Sequence, residues 1–153
     1  MNKLELPRFD TIGPKERDLA LMPMRHYWSL SGYLGGELSG GPMVQALEKK
    51  WCETFGCTHA IACNSATSGL LAACHAIGVS NEQVVVSPYT MSATAAVPVL
   101  LGADINFCDV EPEHYCIDPK LAAPKIGDRS LGAKAIIATN LFGHPAELKL
   151  LAQ

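Results

Sequence analysis

The chain has 153 residues and a formal net charge of -3, long enough to bury a core and without the basic balance of a nucleic-acid binder. Hydrophobic residues make up 48% and charged residues 18%, which excludes a disordered chain. The longest apolar stretch, Ala93 to Ala103, is interrupted by Pro98 and Gly102 and is far short of the roughly 18–20 residues a membrane helix needs.

Met1-Asn2-Lys3-Leu4-Glu5 lacks the apolar core of a secretory signal, so a cytoplasmic protein is expected. The six cysteines form no CxxC pair, and most lie in apolar surroundings. Buried free thiols are expected, with neither a zinc site nor a disulfide framework. Lys49-Lys50, the one adjacent basic pair, is expected on the solvated face of a helix.

The first forty residues read as irregular, with Pro7, Pro14 and Pro23 followed by glycine-rich text from Ser31 to Gly41. Residues 1–41 are therefore taken as a glycine-rich arm and 42–153 as the domain proper. Pro42 opens a helix, Val44, Leu47, Trp51 and Phe55 give it one apolar stripe to pack in the core, and Gly56 stops it. His59 to Cys63 reads as a short strand and Asn64 to Thr67 as a polar turn. A second helix follows, with Leu70, Leu71, Cys74 and Ile77 on one face and Gly78 as its stop. Val84-Val85-Val86 is a β-branched run suited to a buried strand, ended by Pro88.

A third helix is expected from Ser92 to Leu101, shortened or kinked at Pro98. Ile105 to Asp109 is the next strand, and 111–117 a loop. Asp118 is a plausible N-cap, with Pro119 at the first position of a short helix. Ala135 to Ala138 is a further strand, Asn140 to Gly143 a loop, and Pro145 to Ala152 the start of a helix. That helix has no stop signal at Gln153, so a chain that continues is expected. Alternation of strands and helices predicts an α/β fold, a mainly parallel sheet with helices on both faces. Ligands of such sheets bind beyond the carboxyl ends of the strands, here the loops at 64–67, 87–91, 109–111 and 140–143.

Two of these loops carry chemistry. Asn64-Ser65-Ala66-Thr67 leads into a helix whose free N–H groups and dipole suit a phosphate, with Ala66 small enough for close approach and Thr67 adding a hydroxyl. An ordinary N-cap by Asn64 or Ser65 explains the same residues. GxGxxG and GxxxxGK[ST] are both absent, so neither common nucleotide signature applies. Ser87-Pro88-Tyr89-Thr90-Met91 places a ring and a thioether where a flat cofactor could stack on Tyr89 or Met91, or where both could simply pack in the core. Asp109 is expected to order a loop, His144 to be a partly exposed loop residue and His75 to lie at the surface or core edge. Tyr27 and Trp28 either line an entrance or anchor the arm.

Six segments in register resemble the DegT/DnrJ/EryC1/StrS aminotransferases. They begin at Val44-Gln45-Ala46-Leu47-Glu48, Asn64-Ser65-Ala66-Thr67-Ser68-Gly69-Leu70, Val85-Val86-Ser87-Pro88-Tyr89-Thr90-Met91, Gly102-Ala103-Asp104-Ile105, Tyr115-Cys116-Ile117-Asp118 and Phe142-Gly143-His144-Pro145. The resemblance implies the N-terminal part of a fold type I large domain, residues 42–153 being incomplete, and a homodimer. It implies pyridoxal 5'-phosphate as cofactor, and amino transfer, usually from glutamate, to a nucleotide-linked keto sugar. Carried over by position, Ala66 and Thr67 bind the cofactor phosphate, with Ala66 where the family often has glycine. The ring-stacking aromatic falls on Met91, so either Met91 makes a sulfur–ring contact or Tyr89 takes over. The glycine-rich 31–41 segment would lie near the active-site entrance. The family's Schiff-base lysine and its ring-nitrogen aspartate fall beyond the matched segments, and Lys120, Lys125 and Lys134 are read as surface charges. Residues 1–153 alone are therefore expected not to transaminate, and to expose an unfinished sheet edge. A short non-catalytic binding or dimerisation module, or another fold type I enzyme, are the alternative readings.

Overall fold

The computed structural model describes residues 11–25, 40–127 and 132–152. The glycine-rich stretch 31–39 and the pair Tyr27-Trp28 lie outside the described residues. Contacts divide the chain into two units, 1–62 and 63–153.

In the first unit, a helix replaces part of the expected irregular arm. Helix α1 spans Pro14–Arg25. Pro14 occupies its first position, and the Glu16 carboxylate reaches back to accept the Gly13 N–H at 2.9 Å, one half of a capping box. Those signals are present in the sequence, but Pro23 inside the helix obscures them. Helix α2 spans Pro42–Phe55 as expected, with Pro42 at its start and Gly56 left-handed at its end, donating to the Cys52 carbonyl. Its apolar stripe is not core, however: Leu47, Trp51 and Phe55 are exposed, and the last two rings pack on each other at 4.5 Å. The expected strand at 59–63 does not form among the described residues. The Ala62 N–H, which a neighbouring strand would have accepted, donates instead to the Glu48 carboxylate at 2.8 Å.

The second unit contains the sheet. Helix α3 (Ala66–Ile77) leads to strand β1 (Gln83–Val86), helix α4 (Ala93–Leu100) and strand β2 (Asp104–Phe107). Short helices α5 (Pro119–Ala122) and α6 (Pro124–Gly127) precede strand β3 (Ala135–Ile137), and α7 (Leu148–Leu151) follows it. The order is β2-β1-β3, parallel throughout, with Val84 beside Ile105 on one side and Ala135 on the other. Val84, Val85 and Val86 are fully buried because the central strand is covered on both faces. Val84 and Val86 meet Cys74, Val79, Val97 and Ala103 on one face, whereas Val85 meets Cys108, Ile117 and Ala122 on the other. The alternating side-chain directions of a strand feed both layers.

Several expectations are corrected in detail. The helix expected from Pro145 begins only at Leu148. Leu71 and Ile77 of α3 are exposed, so Leu70 and Cys74 carry its packing. Of the cysteines, only Cys74, Cys108 and Cys116 are buried, whereas Cys57 and Cys63 are exposed. Burial pushes the Cys74 and Cys108 thiols above their ordinary pKa, consistent with packing residues. Lys120 and Lys134 are at the surface, but Lys125 is half-buried and donates to Asn106 Oδ1 at 2.7 Å. No described helix is long and apolar enough to cross a membrane.

Candidate functional site

Because the strands are parallel, the segments that follow β1, β2 and β3 leave the sheet at one edge. The first, 87–92, is shaped by Ser87, whose buried hydroxyl accepts the Tyr89 N–H at 3.0 Å. The next residue, Thr90, places its hydroxyl 3.1 Å from that of Thr94 and 3.2 Å from that of Thr139, tying the first loop to the third.

The second loop is closed by the Val110–Ile117 bridge and organised from within by a carboxylate. Glu111 accepts the N–H groups of Glu113 (2.8 Å), His114 (3.0 Å) and Cys116 (3.1 Å). Burial raises the Glu111 pKa, but these N–H groups and the nearby His114 imidazole outweigh it and hold the carboxyl below its ordinary range. Asp109 orders the same loop, accepting the Val110 N–H at 2.8 Å, as expected. In the third loop Asn140 Oδ1 accepts the Ala146 N–H at 3.0 Å.

The loops converge on an aromatic cluster. The Tyr89 ring is met edge-on by Tyr115 at 6.0 Å and by Phe142 at 6.4 Å. Tyr89 remains 52% exposed, so part of its ring is open to a ligand. Tyr115 and Phe142 have φ of 62° and 51°. A left-handed backbone costs a bulky residue on the order of 1–3 kcal/mol and persists only where the surroundings over-determine it. Beside the cluster the imidazoles of His114 and His144 stack, centroids 3.6 Å apart and planes within 3°. They line a cleft of about 280 Å³ with Glu111, Asp118, Lys120 and Glu147.

Of the residues singled out in the sequence, Tyr89 joins this cluster and Met91 does not. Met91 is 77% exposed, and its carbonyl accepts the Thr94 N–H at 3.0 Å. Ala66 and Thr67 open α3, where Ser65 is the N-cap and its hydroxyl accepts the Ser68 N–H at 3.1 Å. The N–H groups of Ala66 and Thr67 lie at the first two helical positions, where no intrahelical partner exists. Both residues are exposed. A short turn, 79–82, joins the end of α3 to the start of β1, and Leu70 and Cys74 pack on that sheet face. The helix therefore runs back along β1, with its N-terminus toward the loop edge. Among the described residues no hydrogen bond or ring contact joins Ala66 or Thr67 to Tyr89 or Met91. Sequence reasoning missed Tyr115, Phe142 and the histidine stack; their one signal was an aromatic in each of the loops after β2 and β3.

The fold recurs in known proteins. Residues 33–153 match the DegT/DnrJ/EryC1/StrS aminotransferase family. The UDP-4-amino-4,6-dideoxy-N-acetyl-beta-L-altrosamine transaminase of Campylobacter jejuni is 35% identical over 111 residues, 72% of this chain and 29% of that protein. The UDP-2-acetamido-2-deoxy-3-oxo-D-glucuronate aminotransferase of Pseudomonas aeruginosa is 34% identical over 113 residues, 73% of this chain and 31% of that one. A crystal structure of a DegT DnrJ EryC1 StrS aminotransferase from Brucella abortus matches with a TM-score of 0.71 at 30% identity, over 89% of this chain and 35% of its own. 3-Amino-5-hydroxybenzoic acid synthase shares the fold, with a TM-score of 0.81 at 23% identity over 97% of this chain and 36% of its own. The chain spans about a third or less of the length of these relatives. Matched over most of its residues and built on the same fold, the chain belongs to the DegT/DnrJ/EryC1/StrS aminotransferase family.

Proposed function

We propose that residues 42–153 form the N-terminal part of the cofactor-binding domain of a pyridoxal-phosphate aminotransferase, and that 1–41 is its arm. The whole enzyme would be a cytoplasmic homodimer that moves an amino group, from glutamate, to a nucleotide-linked keto sugar. The names of the Campylobacter and Pseudomonas relatives support the substrate class. The observation that carries the reading is the half-open Tyr89 ring, fixed by Tyr115 and Phe142 at the carboxyl edge of a parallel sheet.

The residues present fit two parts of the cofactor. The free N–H groups of Ala66 and Thr67, the Thr67 hydroxyl and the positive end of the α3 dipole suit a phosphate dianion. Tyr89 presents an aromatic face to a planar ring, and Met91 reaches into solvent at the same edge, where a thioether can contact that ring from its rim. When bound, pyridoxal phosphate supplies the carbonyl that takes up the amino group and the conjugated ring that takes up electrons. This chain's residues bind and orient; no lysine described in the sheet unit fills the family's lysine motif. Lys125 is held by Asn106, and Lys134 precedes β3, at the edge opposite the loops. Residues 1–153 alone therefore bind the cofactor without transaminating.

Titration of the chain with pyridoxal phosphate, followed by absorbance and calorimetry, tests the reading. Saturable binding that Thr67→Ala and Tyr89→Ala each weaken is expected, with no amino transfer from glutamate to a UDP-linked keto sugar. Absence of saturable binding, or transamination by this chain alone, would overturn it.

A further inference from the structure

We propose that the stacked imidazoles of His114 and His144 are positioning residues, a clasp between the second and third loops that holds Tyr115 and Phe142 edge-on to Tyr89. The contribution of that clasp to a ring-binding wall rests on the function proposed above; the clasp itself does not.

His114 immediately precedes Tyr115, and His144 follows Phe142 after a single residue, Gly143. Tyr115 and Phe142 are the two bulky residues among the described ones with a left-handed backbone. Asn81, the third non-glycine there, has a side chain that tolerates that conformation. Gly143 is also left-handed, at φ 84°, so the turn that delivers His144 is built from two consecutive residues of that kind. Two strained aromatics in separate loops, both aimed at one ring, need a restraint that acts across the loops.

The other contacts that order these loops do not suffice for that role. The Glu111 carboxylate orders the second loop internally, accepting from Glu113, His114 and Cys116 of that same loop. The Thr90–Thr139 contact fixes the base of the third loop to the first, before Phe142 is reached. Cys116 Sγ donates to the His144 carbonyl at 3.7 Å, a weak bond from a poor donor. The imidazole pair is the broad contact between the two loops, ring face on ring face at 3.6 Å. Unconstrained rings favour offset or edge-on geometry, so a nearly parallel pair at that separation is one the loops hold in register. The His114 ring is steadied from its rim by Glu111, 3.9 Å from Nδ1.

The test uses the full chain labelled with 3-fluorotyrosine, its four tyrosine signals assigned by Tyr→Phe variants. His144→Ala is expected to move the fluorine signals of Tyr89 and Tyr115, and to weaken pyridoxal phosphate roughly three- to tenfold, the scale of one ring–ring contact. His144→Phe keeps a flat ring and is expected to restore both; His114→Phe should do the same from the other side. The proposal is overturned if Tyr89 keeps its signal in His144→Ala, or if the phenylalanine variants behave no better than alanine. Should the unmodified chain fail to bind pyridoxal phosphate, the functional reading falls, and the fluorine signals alone still decide the clasp.

Discussion

The hydroxyl of Thr90 lies 3.2 Å from that of Thr139, 49 residues further along the chain, and 3.1 Å from that of Thr94 one helical turn on. One side chain thereby joins the loop after β1, the start of α4 and the end of β3. Thr90 neighbours Tyr89, so the same contact holds the backbone that carries the ring. Replacing it by the isosteric Thr90→Val removes both contacts and leaves the buried Thr94 hydroxyl and the half-buried Thr139 hydroxyl short of a partner. At about 0.5–1.5 kcal/mol per hydrogen bond, a loss of roughly 1–3 kcal/mol is expected in urea unfolding. Thr90→Ser, which keeps the hydroxyl, should lose less than half as much.

Glu111 gives the second loop a pH dependence whose sign is fixed. Its folded pKa is lowered below the ordinary 4.5, so its contribution is fully present above that value. The contribution is lost as the pH falls through the lower folded value, because the protonated carboxyl accepts the three N–H groups less well. Unfolding of the chain compared with Glu111→Ala should show a gap that is constant from neutral pH down to about the ordinary glutamate pKa and narrows below it. A gap that stays constant into stronger acid would mean that the loop is held by something other than the carboxylate.

How much of this was legible in the sequence depended on how local each cause is. Val84 to Val86, Gly56, Gly78 and the Asp118-Pro119 cap announce themselves within a few residues, and the structure follows them. The parallel α/β order followed from their alternation. Ile61 reads as a strand residue and is exposed instead, because a strand exists only when a partner pairs with it, and Glu48 takes the adjacent N–H. The stripe of α2 was readable as apolar, but periodicity reports that a face wants covering and not what covers it. The histidine stack was hidden most deeply. It joins loops 30 residues apart through two turns in which ordinary aromatic residues adopt the backbone of glycine.

The open face of α2 leads to an expectation about self-association. Leu47, Trp51 and Phe55 are all exposed on one helix. Burying what remains exposed of each would contribute roughly half of the 1.5–3 kcal/mol of a fully exposed side chain, a bias toward weak self-association once the cost of association is met. Sedimentation of the chain should show a concentration-dependent species larger than 16.3 kDa. Leu47→Glu with Phe55→Lys should abolish it without lowering helix content, since neither side chain is buried. Unchanged association in that double variant would assign it to the sheet edge instead, where β2 exposes Phe107.

Phe142 offers the sharpest contrast between stability and binding. Its backbone sits at φ 51°, yet its side chain is 82% exposed, so it takes on strain and recovers little burial. Asparagine tolerates the left-handed region through its short polar side chain and adds none of the unfolded-state freedom that glycine would. Phe142→Asn is expected to raise stability by about 1 kcal/mol, the lower end of the left-handed cost. The same change removes one of the two rings that brace Tyr89, so pyridoxal phosphate should bind several-fold more weakly to the more stable protein. Measuring both quantities on one preparation separates the cases: a variant more stable and equally good at binding would show that the Phe142 strain serves no purpose at this site, whereas opposite movements would mark the strain as the cost of holding the ring in place.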